Sequence, residues 1–347
     1  MKFKRIKPAL ILTMLAIIVA ACNQTPSADS TSSQSQPVSS SETATVANTN
    51  QGSETASDQE KASNVQSQSS TVDEAQVEEL MKQFNGKKPD QVATVSVSIS
   101  ELLNELGITP VGVPTTNSKL PEAFDNVPRI GTSHQPDLEQ IAKLQPDFIL
   151  GPSSIKDSLD KVFQSASLPS AYLPADSLDE LKLSMITLGR LFEKEDKAAA
   201  YLQQFNEKEA AIIEKTKGKE APSVMILFGS AESLMFMNEN TYTGSLVKKL
   251  GASNVVSDVL KLEETYIPLN MESVVAANPD VILLVAHGDP DAVAKKFEED
   301  IKKNGAWEKL NAFKNNKLIA LDNSLFGIAS IIKAPEAYEE LFNILYN

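Results

Sequence analysis

Two stretches of this chain repeat one pattern 133 residues apart: Glu139-Gln-Ile-Ala-Lys-Leu-Gln-Pro-Asp147-Phe-Ile-Leu and Glu272-Ser-Val-Val-Ala-Ala-Asn-Pro-Asp280-Val-Ile-Leu. Each runs from a glutamate through a short helical segment to Pro-Asp and an apolar strand. Proline cannot continue a helix and pushes its predecessor toward extended geometry, so Pro146 and Pro279 mark helix ends. The runs that follow, Phe148 to Leu150 and Val281 to Val285, read as buried parallel strands. A helix-strand unit that occurs twice predicts an α/β fold of two similar Rossmann-like lobes. The cleft between such lobes is the expected ligand site.

The chain has two histidines, and each flanks one copy of the repeat: His134 in Gly131-Thr-Ser-His-Gln-Pro136 and His287 in Val285-Ala-His-Gly-Asp-Pro290. That placement makes them a candidate ligand-binding pair. His287 is expected at the carboxyl end of a parallel strand, where open α/β sheets bind ligands. His134 is expected in a turn before a helix that Pro136 opens.

The amino terminus reads as an export signal. Lys2, Lys4, Arg5 and Lys7 precede an apolar stretch from Pro8 to Ala21 that is shorter than the roughly 20 residues of a membrane span. It ends in Val19-Ala20-Ala21-Cys22, which looks like a bacterial lipoprotein signal, with cleavage before Cys22 and lipid on that residue. Cys22 is the single cysteine, so the mature chain has no disulfide and no thiol for metal or catalysis. Acyl chains would anchor it to a membrane by burying their methylene groups.

The organisation expected is a signal peptide at 1–21, a disordered tether at 22–88, an N-terminal lobe at 89–193, a connecting helix at 194–219 and a C-terminal lobe at 220–347. From Asn23 to about Val72 the chain is mostly Ser, Thr, Gln, Asn and Ala without an aromatic residue, a composition that cannot offset the entropy of ordering. Asp73 to Phe84 could add an amphipathic helix carrying Val77, Leu80 and Phe84 on one side.

Within the body, strands are predicted at Ala93–Ile99, Val111–Thr115, Phe148–Leu150, Ala171–Leu173, Ser223–Phe228, Leu234–Met237, Val281–Val285 and Leu318–Leu321. Helices are predicted at Ser100–Leu106, Ile155–Phe163, Ser177–Phe192, Gly244–Leu250, Asp289–Lys303 and Ala334–Leu345. Lys194–Lys215, free of Gly and Pro, is the longest helical pattern, with Tyr201, Phe205, Ala211 and Ile212 as its expected buried stripe. A single rigid helix between lobes would limit how far the cleft opens.

The formal charge of −14 becomes about −18 once the four basic signal residues are removed. That balance excludes nucleic acid as the expected partner, since phosphates need a basic surface. Catalysis finds no support: there is no Gly-x-Ser-x-Gly turn, P-loop or HExxH. Ser133 beside His134 is no triad, because triad members meet in space rather than in sequence.

The order of lipobox, tether, two lobes and connecting helix resembles the substrate-binding lipoproteins of ABC importers for iron compounds, which have a helical-backbone, class III binding-protein fold. More narrowly, Val111-Gly-Val-Pro-Thr, Val127-Pro-Arg-Ile-Gly131, Gln135-Pro-Asp-Leu-Glu139 and Val285-Ala-His-Gly-Asp-Pro290 are similar to the IsdE-type haem receptors of Gram-positive cells. The resemblance covers essentially everything from about residue 90 onward. It implies haem b in the inter-lobe cleft with one axial ligand from each lobe, and His287 matches the family's histidine. Better-known members carry methionine at the other position, where this chain has His134, so bis-histidine ligation is expected. Four equatorial nitrogens leave haem iron two axial places, which is the number of imidazoles the chain supplies.

The resemblance further implies an ABC permease and its ATPase as partners, delivery from a surface haem-donor protein, and docking of the permease on Glu139 and Glu272. Expected pocket walls are Phe124, Met235, Met237, Tyr242, Leu325, Phe326 and Ile328, with Lys119 and Arg129 as propionate contacts. Two other readings stay open. A zinc or manganese receptor would need carboxylates such as Asp289 beside the histidines. A ferric-siderophore or corrinoid receptor would share the fold and use basic or aromatic contacts.

Overall fold

Ser96 decides where the first strand stops. Its hydroxyl accepts a hydrogen bond from Ile99 N (3.3 Å) and caps a helix, so the expected strand at 93–99 is cut short: β1 is Val92–Thr94 and α2 is Val97–Leu106. In this computed structural model, which describes residues 74–230 and 232–347, the N-terminal lobe is a three-stranded parallel sheet. The chain runs α1 (Glu74–Met81), β1, α2, α3 (Leu138–Leu144), β2 (Phe148–Pro152), α4 (Lys156–Ser165), β3 (Ser170–Leu173) and α5 (Leu178–Leu191). β2 is central, with Ala93 opposite Ile149 and Ile149 opposite Ser170. The expected strand at 111–115 is extended, but it pairs only through single bridges, Ala93 with Gly112 and Val113 with Arg129.

The expected signal peptide, Cys22 and the part of the expected tether before residue 74 lie outside the described residues. The remainder of the expected tether is structured. In α1 and the 3₁₀ turn Lys82–Phe84, Val77 and Phe84 are buried and Leu80 half-buried. Gln83 acts as an extra strand residue: its amide donates to Tyr172 O (2.9 Å) and accepts from Tyr172 N (2.8 Å), covering the free edge of β3. Arg190 on α5 holds Glu74 with two bonds of 2.6 and 2.9 Å. Residues 74–84 are therefore packed onto the N-terminal lobe, where this segment seals a sheet edge.

α6 (Glu195–Glu214), 20 residues and about 30 Å long, links the lobes. Its buried face is Ala198, Leu202, Phe205, Glu209 and Ile212; Tyr201 is half-buried, and Ala211 of the expected stripe is exposed. The buried glutamate explains the shift. Glu209 takes Lys182 Nζ of α5 at 2.7 Å and the Tyr338 hydroxyl at 2.6 Å, which turns that edge of the helix inward.

The C-terminal lobe runs β4 (Ser223–Gly229), β5 (Leu234–Met237), α7 (Tyr242–Lys249), β6 (Ser253–Asn254), α8 (Val255–Asp258), β7 (Tyr266–Pro268), α9 (Met271–Ala277), β8 (Val281–Ala286), α10 (Pro290–Lys303), α11 (Asn311–Lys314), β9 (Leu318–Ala320), α12 (Asn323–Phe326) and α13 (Ala334–Tyr346). Its sheet has the order β7-β5-β4-β8-β9, with β6 beside β4. β4, β8 and β9 are parallel and correspond to β1, β2 and β3; β5 and β7 add antiparallel strands on one side.

The repeat is structural. α3 and α9 both end on a left-handed residue, Gln145 (φ 50°) and Asn278 (φ 39°), immediately before the proline. The following aspartates do the same work: Asp147 Oδ2 accepts from Asp90 N and Gln91 N (2.7 and 2.8 Å), and Asp280 Oδ2 from Ser223 N and Oγ (3.1 and 2.6 Å). Each ties the start of one strand to its neighbour.

One apolar core extends through α2, α5, α6, α7 and α13 into both lobes. Among the described residues no helix is long and apolar enough to cross a membrane.

Candidate functional site

The carboxyl ends of the strands from both lobes face one cleft of about 370 Å³, a volume within the range of small-molecule sites. Its N-terminal wall is Ser96–Ser98, Pro114–Thr116, Thr132–His134, Pro152, Ser154, Ile155, Ala175 and Asp176. Facing them are Phe228, Met237, Tyr242, Thr243, Tyr266, Val285, His287 and Phe326–Ala329.

His134 is presented by a tight turn. Thr132 N donates to Gln135 O (3.1 Å) and Gln135 N to Thr132 O (3.2 Å), while the Ser133 hydroxyl reaches back to Val95 O (2.7 Å) just beyond β1. Gly131 makes the turn, with φ 86° and a position where any Cβ would meet the backbone of Gln135 and Asp137 at 2.5 Å. Pro136 does not open the helix as expected. It bridges back to Gly131, and α3 starts at Leu138 because Asp137 caps it, accepting from Gln140 N at 3.0 Å.

His287 follows β8 directly, and its N–H donates to Gly229 O at 2.8 Å, extending the β4–β8 pairing by one bond. The Phe228 ring lies against the imidazole, centroids 5.2 Å apart and planes tilted 33°, and Tyr266 packs edge-on behind Phe228 at 5.3 Å. Burial lowers the His287 pKa below its ordinary 6.5, and the nearby charge of His134 lowers it further. The two imidazoles thus come from opposite lobes and sense each other across the cleft. The neutral form, favoured here, is the one that binds metal.

Of the expected wall residues, Met237, Tyr242, Phe326 and Ile328 line the cleft. Phe124 instead sits in a small core with Val97, Val113 and Leu120, and Leu325 belongs to the main core. Met235, two residues before Met237 on β5, does not line the cleft. Lys119 is exposed and paired with Glu122 at 3.0 Å, and Arg129 is exposed on the strand-like segment; neither reaches the cleft. Both precede or follow the turns that do line it, which proximity in sequence alone did not separate.

Sequence reasoning missed Phe228, Tyr266, Asp176 and the hydroxyl-bearing residues of the walls. The usable signal was position after a strand, since Phe228 and Asp176 stand at or just past the ends of β4 and β3. Among the described residues the lining contains no lysine or arginine, and Asp176 is its sole carboxylate. Burial pushes that carboxyl up, and the Ser154 hydroxyl at 3.0 Å opposes the shift. Thr243, 1 % exposed, carries a hydroxyl without a hydrogen-bond partner at the first turn of α7. No group of three His, Cys, Asp or Glu that could hold a metal ion occurs among the described residues. Asp289, the carboxylate a zinc site would recruit, instead caps α10, accepting from Asp291 N at 3.0 Å.

Residues 92–325 match the periplasmic binding protein family. The chain belongs to that family. As a periplasmic binding protein it is a receptor rather than an enzyme. It is 31% identical over 257 residues to the high-affinity heme uptake system protein IsdE of Staphylococcus aureus, covering 74% of this chain and 87% of that protein. The crystal structure of S. aureus IsdE complexed with heme superposes with a TM-score of 0.70 at 31% identity, over 74% of this chain and 99% of the other. An ABC transporter substrate-binding protein from Listeria monocytogenes gives 0.69 at 33% identity, over 75% and 99%. S. aureus SirA complexed with staphyloferrin B shares the fold, with a TM-score of 0.61 at 24% identity over 75% and 94%. These likenesses carry the two-lobe, helix-linked architecture over nearly the whole of each structure.

Proposed function

We propose that this periplasmic binding protein receives haem b at the cell surface, holds its iron between His134 and His287, and delivers it to an ABC permease driven by a cytoplasmic ATPase. The observation that carries this is that both imidazoles line one cleft, from opposite lobes, together with Phe228, Met237, Tyr242, Phe326 and Ile328. Haem iron needs two axial donors, and both are supplied. The 31% identity to IsdE supports the same ligand class.

The wall chemistry favours haem over the siderophore alternative. A ferric chelate recognised through its negative charge would need cationic partners in its cleft, and among the described residues the lining has no lysine or arginine, which leaves only aromatic contacts for such a ligand. Haem asks for a mostly apolar slot with polar groups only for its two propionates. Those carboxylates would be met by neutral donors rather than by Lys119 or Arg129: the N–H groups opening α2 and α7 at Val97, Ser98 and Tyr242, and the unpartnered Thr243 hydroxyl. Zinc or manganese would lack a third ligand.

Lipid anchoring at Cys22, with the segment after it as a tether, fits a receptor that must stay near its permease. Glu139 and Glu272 are proposed as the permease contacts. Both are exposed in the first turn of equivalent helices, one on each lobe, and Glu139 is bonded by Lys143 at 2.7 Å, an exposed pair that a partner's arginine could displace. A surface haem-donor protein completes the proposed route.

Titrating the tether-free protein with haemin tests the proposal. A one-to-one endpoint with low-spin bis-imidazole absorption is expected, and His134→Ala and His287→Ala should each abolish it. Saturable binding of a ferric siderophore with no response to haemin would overturn the reading.

A further inference from the structure

Glu101 is the one carboxylate of α2 that the fold buries, 4 % exposed, one helical turn beyond the cleft-lining residues Val97 and Ser98. Among the described residues its Oε2 has no hydrogen-bond partner. Nothing in the binding chemistry above uses it.

Its surroundings lie at the junction between the lobes. From the C-terminal lobe, the Ser330 hydroxyl faces the carboxyl. Ser330 immediately follows Gly327–Ala329, which line the cleft. The same segment is bonded to α2 by Ser98, whose hydroxyl donates to Ala329 O at 2.6 Å, and to α7 by Tyr242, whose hydroxyl donates to Ser330 O at 2.9 Å. The charged and titratable groups around Glu101 are Glu105 on α2, Lys333 beyond Ser330, Tyr201 on α6 and Tyr242 on α7. Lys333 spends its ammonium on Ser324 O at 3.0 Å. α5, packed on the same face of α2, adds no charge to that set.

A buried carboxylate with an unpartnered oxygen is costly, and opening the junction to water relieves the cost. We propose that Glu101 is a positioning residue of the cleft: its neutral carboxyl lets α2 and the Gly327–Ser330 wall close on each other, and its ionisation loosens that wall and speeds cargo exchange. The cargo clause rests on the haem reading; the loosening of the wall does not.

The working range falls near neutrality. Burial pushes the Glu101 carboxyl up to about 7, with the Ser330 hydroxyl pulling the other way. A raised carboxyl keeps its proton in the closed form at mildly acid pH, so closure is favoured below that value and lost as pH rises through it. The histidine ligands act in the opposite sense, weakening when protonated, and both effects leave the firmest hold in a narrow interval.

The test is haem transfer from the loaded full chain to excess apomyoglobin, followed between about pH 6.5 and 8.5, with amide hydrogen exchange of residues 327–333 in the haem-free protein over the same range, corrected for intrinsic rates. Transfer from the native protein should accelerate about threefold across that range with a midpoint near 7, and Glu101→Gln should stay slow and flat. Ser330→Ala, which removes the group stabilising the ionised form, should move the midpoint to higher pH; it carries the test if Glu101→Gln does not fold. A Glu101→Gln profile that tracks the native one, in transfer and in exchange, overturns the proposal, as does an unmoved midpoint in Ser330→Ala. If exchange behaves as expected while no haem is bound, the haem reading fails and the loosening of the wall by Glu101 stands.

Discussion

Phe228 does for His287 what a hydrogen-bonded acceptor does in many metal sites: it fixes the ring by packing, at 5.2 Å between centroids. Its burial there favours the neutral imidazole. Because burial and the charge of His134 lower the His287 pKa, haem affinity should hold down to about pH 6.5 and fall below it, as protons compete with iron. A titration of affinity against pH checks this, and a loss that begins above pH 7 would contradict the sign. Under the proposed bis-histidine ligation, replacing His134 by methionine would change the ligand set from His/His to Met/His, which raises the potential of haem iron. His134→Met should therefore have a higher reduction potential than the native protein in a spectroelectrochemical titration. An equal or lower value would mean that His134 is not a ligand.

At the scale of elements, the inter-lobe helix α6 is clamped by a buried charge as well as by apolar packing. Lys182 and Glu209 lie 2.7 Å apart, with side chains 6% and 10% exposed, and Tyr338 brings α13 into the same network. Lys182→Met removes one partner and leaves a buried carboxylate, which ordinarily costs about 3–5 kcal/mol. Lys249 at 4.0 Å from Glu209 offsets part of that, so the expected loss is about 3 kcal/mol in urea unfolding. A change under about 0.5 kcal/mol would show the network to be neutral. The positions of α6 and of the repeat helices were legible because helix formers, left-handed caps and Pro-Asp ends are local signals. The buried face of α6 was not: Glu209 is polar by composition and goes inside only because Lys182 and Tyr338 meet it there.

Across the whole molecule, the two lobes present one glutamate each at equivalent helix starts, and the continuous core through α2, α5, α6, α7 and α13 resists large changes in their separation. Docking on a permease through the two proposed contacts would then require little rearrangement. The double substitution Glu139→Ala with Glu272→Ala should leave haem binding unchanged and reduce uptake in cells by an order of magnitude or more, since two rim charge contacts are lost together. Normal uptake with normal binding would remove the docking role.

The chain by itself determined the two-lobe architecture and the place of both histidines, because a 133-residue repeat of helix, Pro-Asp and strand is written in neighbouring residues. It also marked Glu139 and Glu272 as equivalent. Only the tertiary structure decided what surrounds the imidazoles. Phe228 and Tyr266 reach the cleft from separate strands and Asp176 from just past a third, Phe124 packs in a small core instead, and residues 74–84 fold back to cover β3. Those outcomes depend on which surfaces meet in space, and for the fold-back Gln83 meets Tyr172 89 residues away. Periodicity within a single segment carries no record of that meeting.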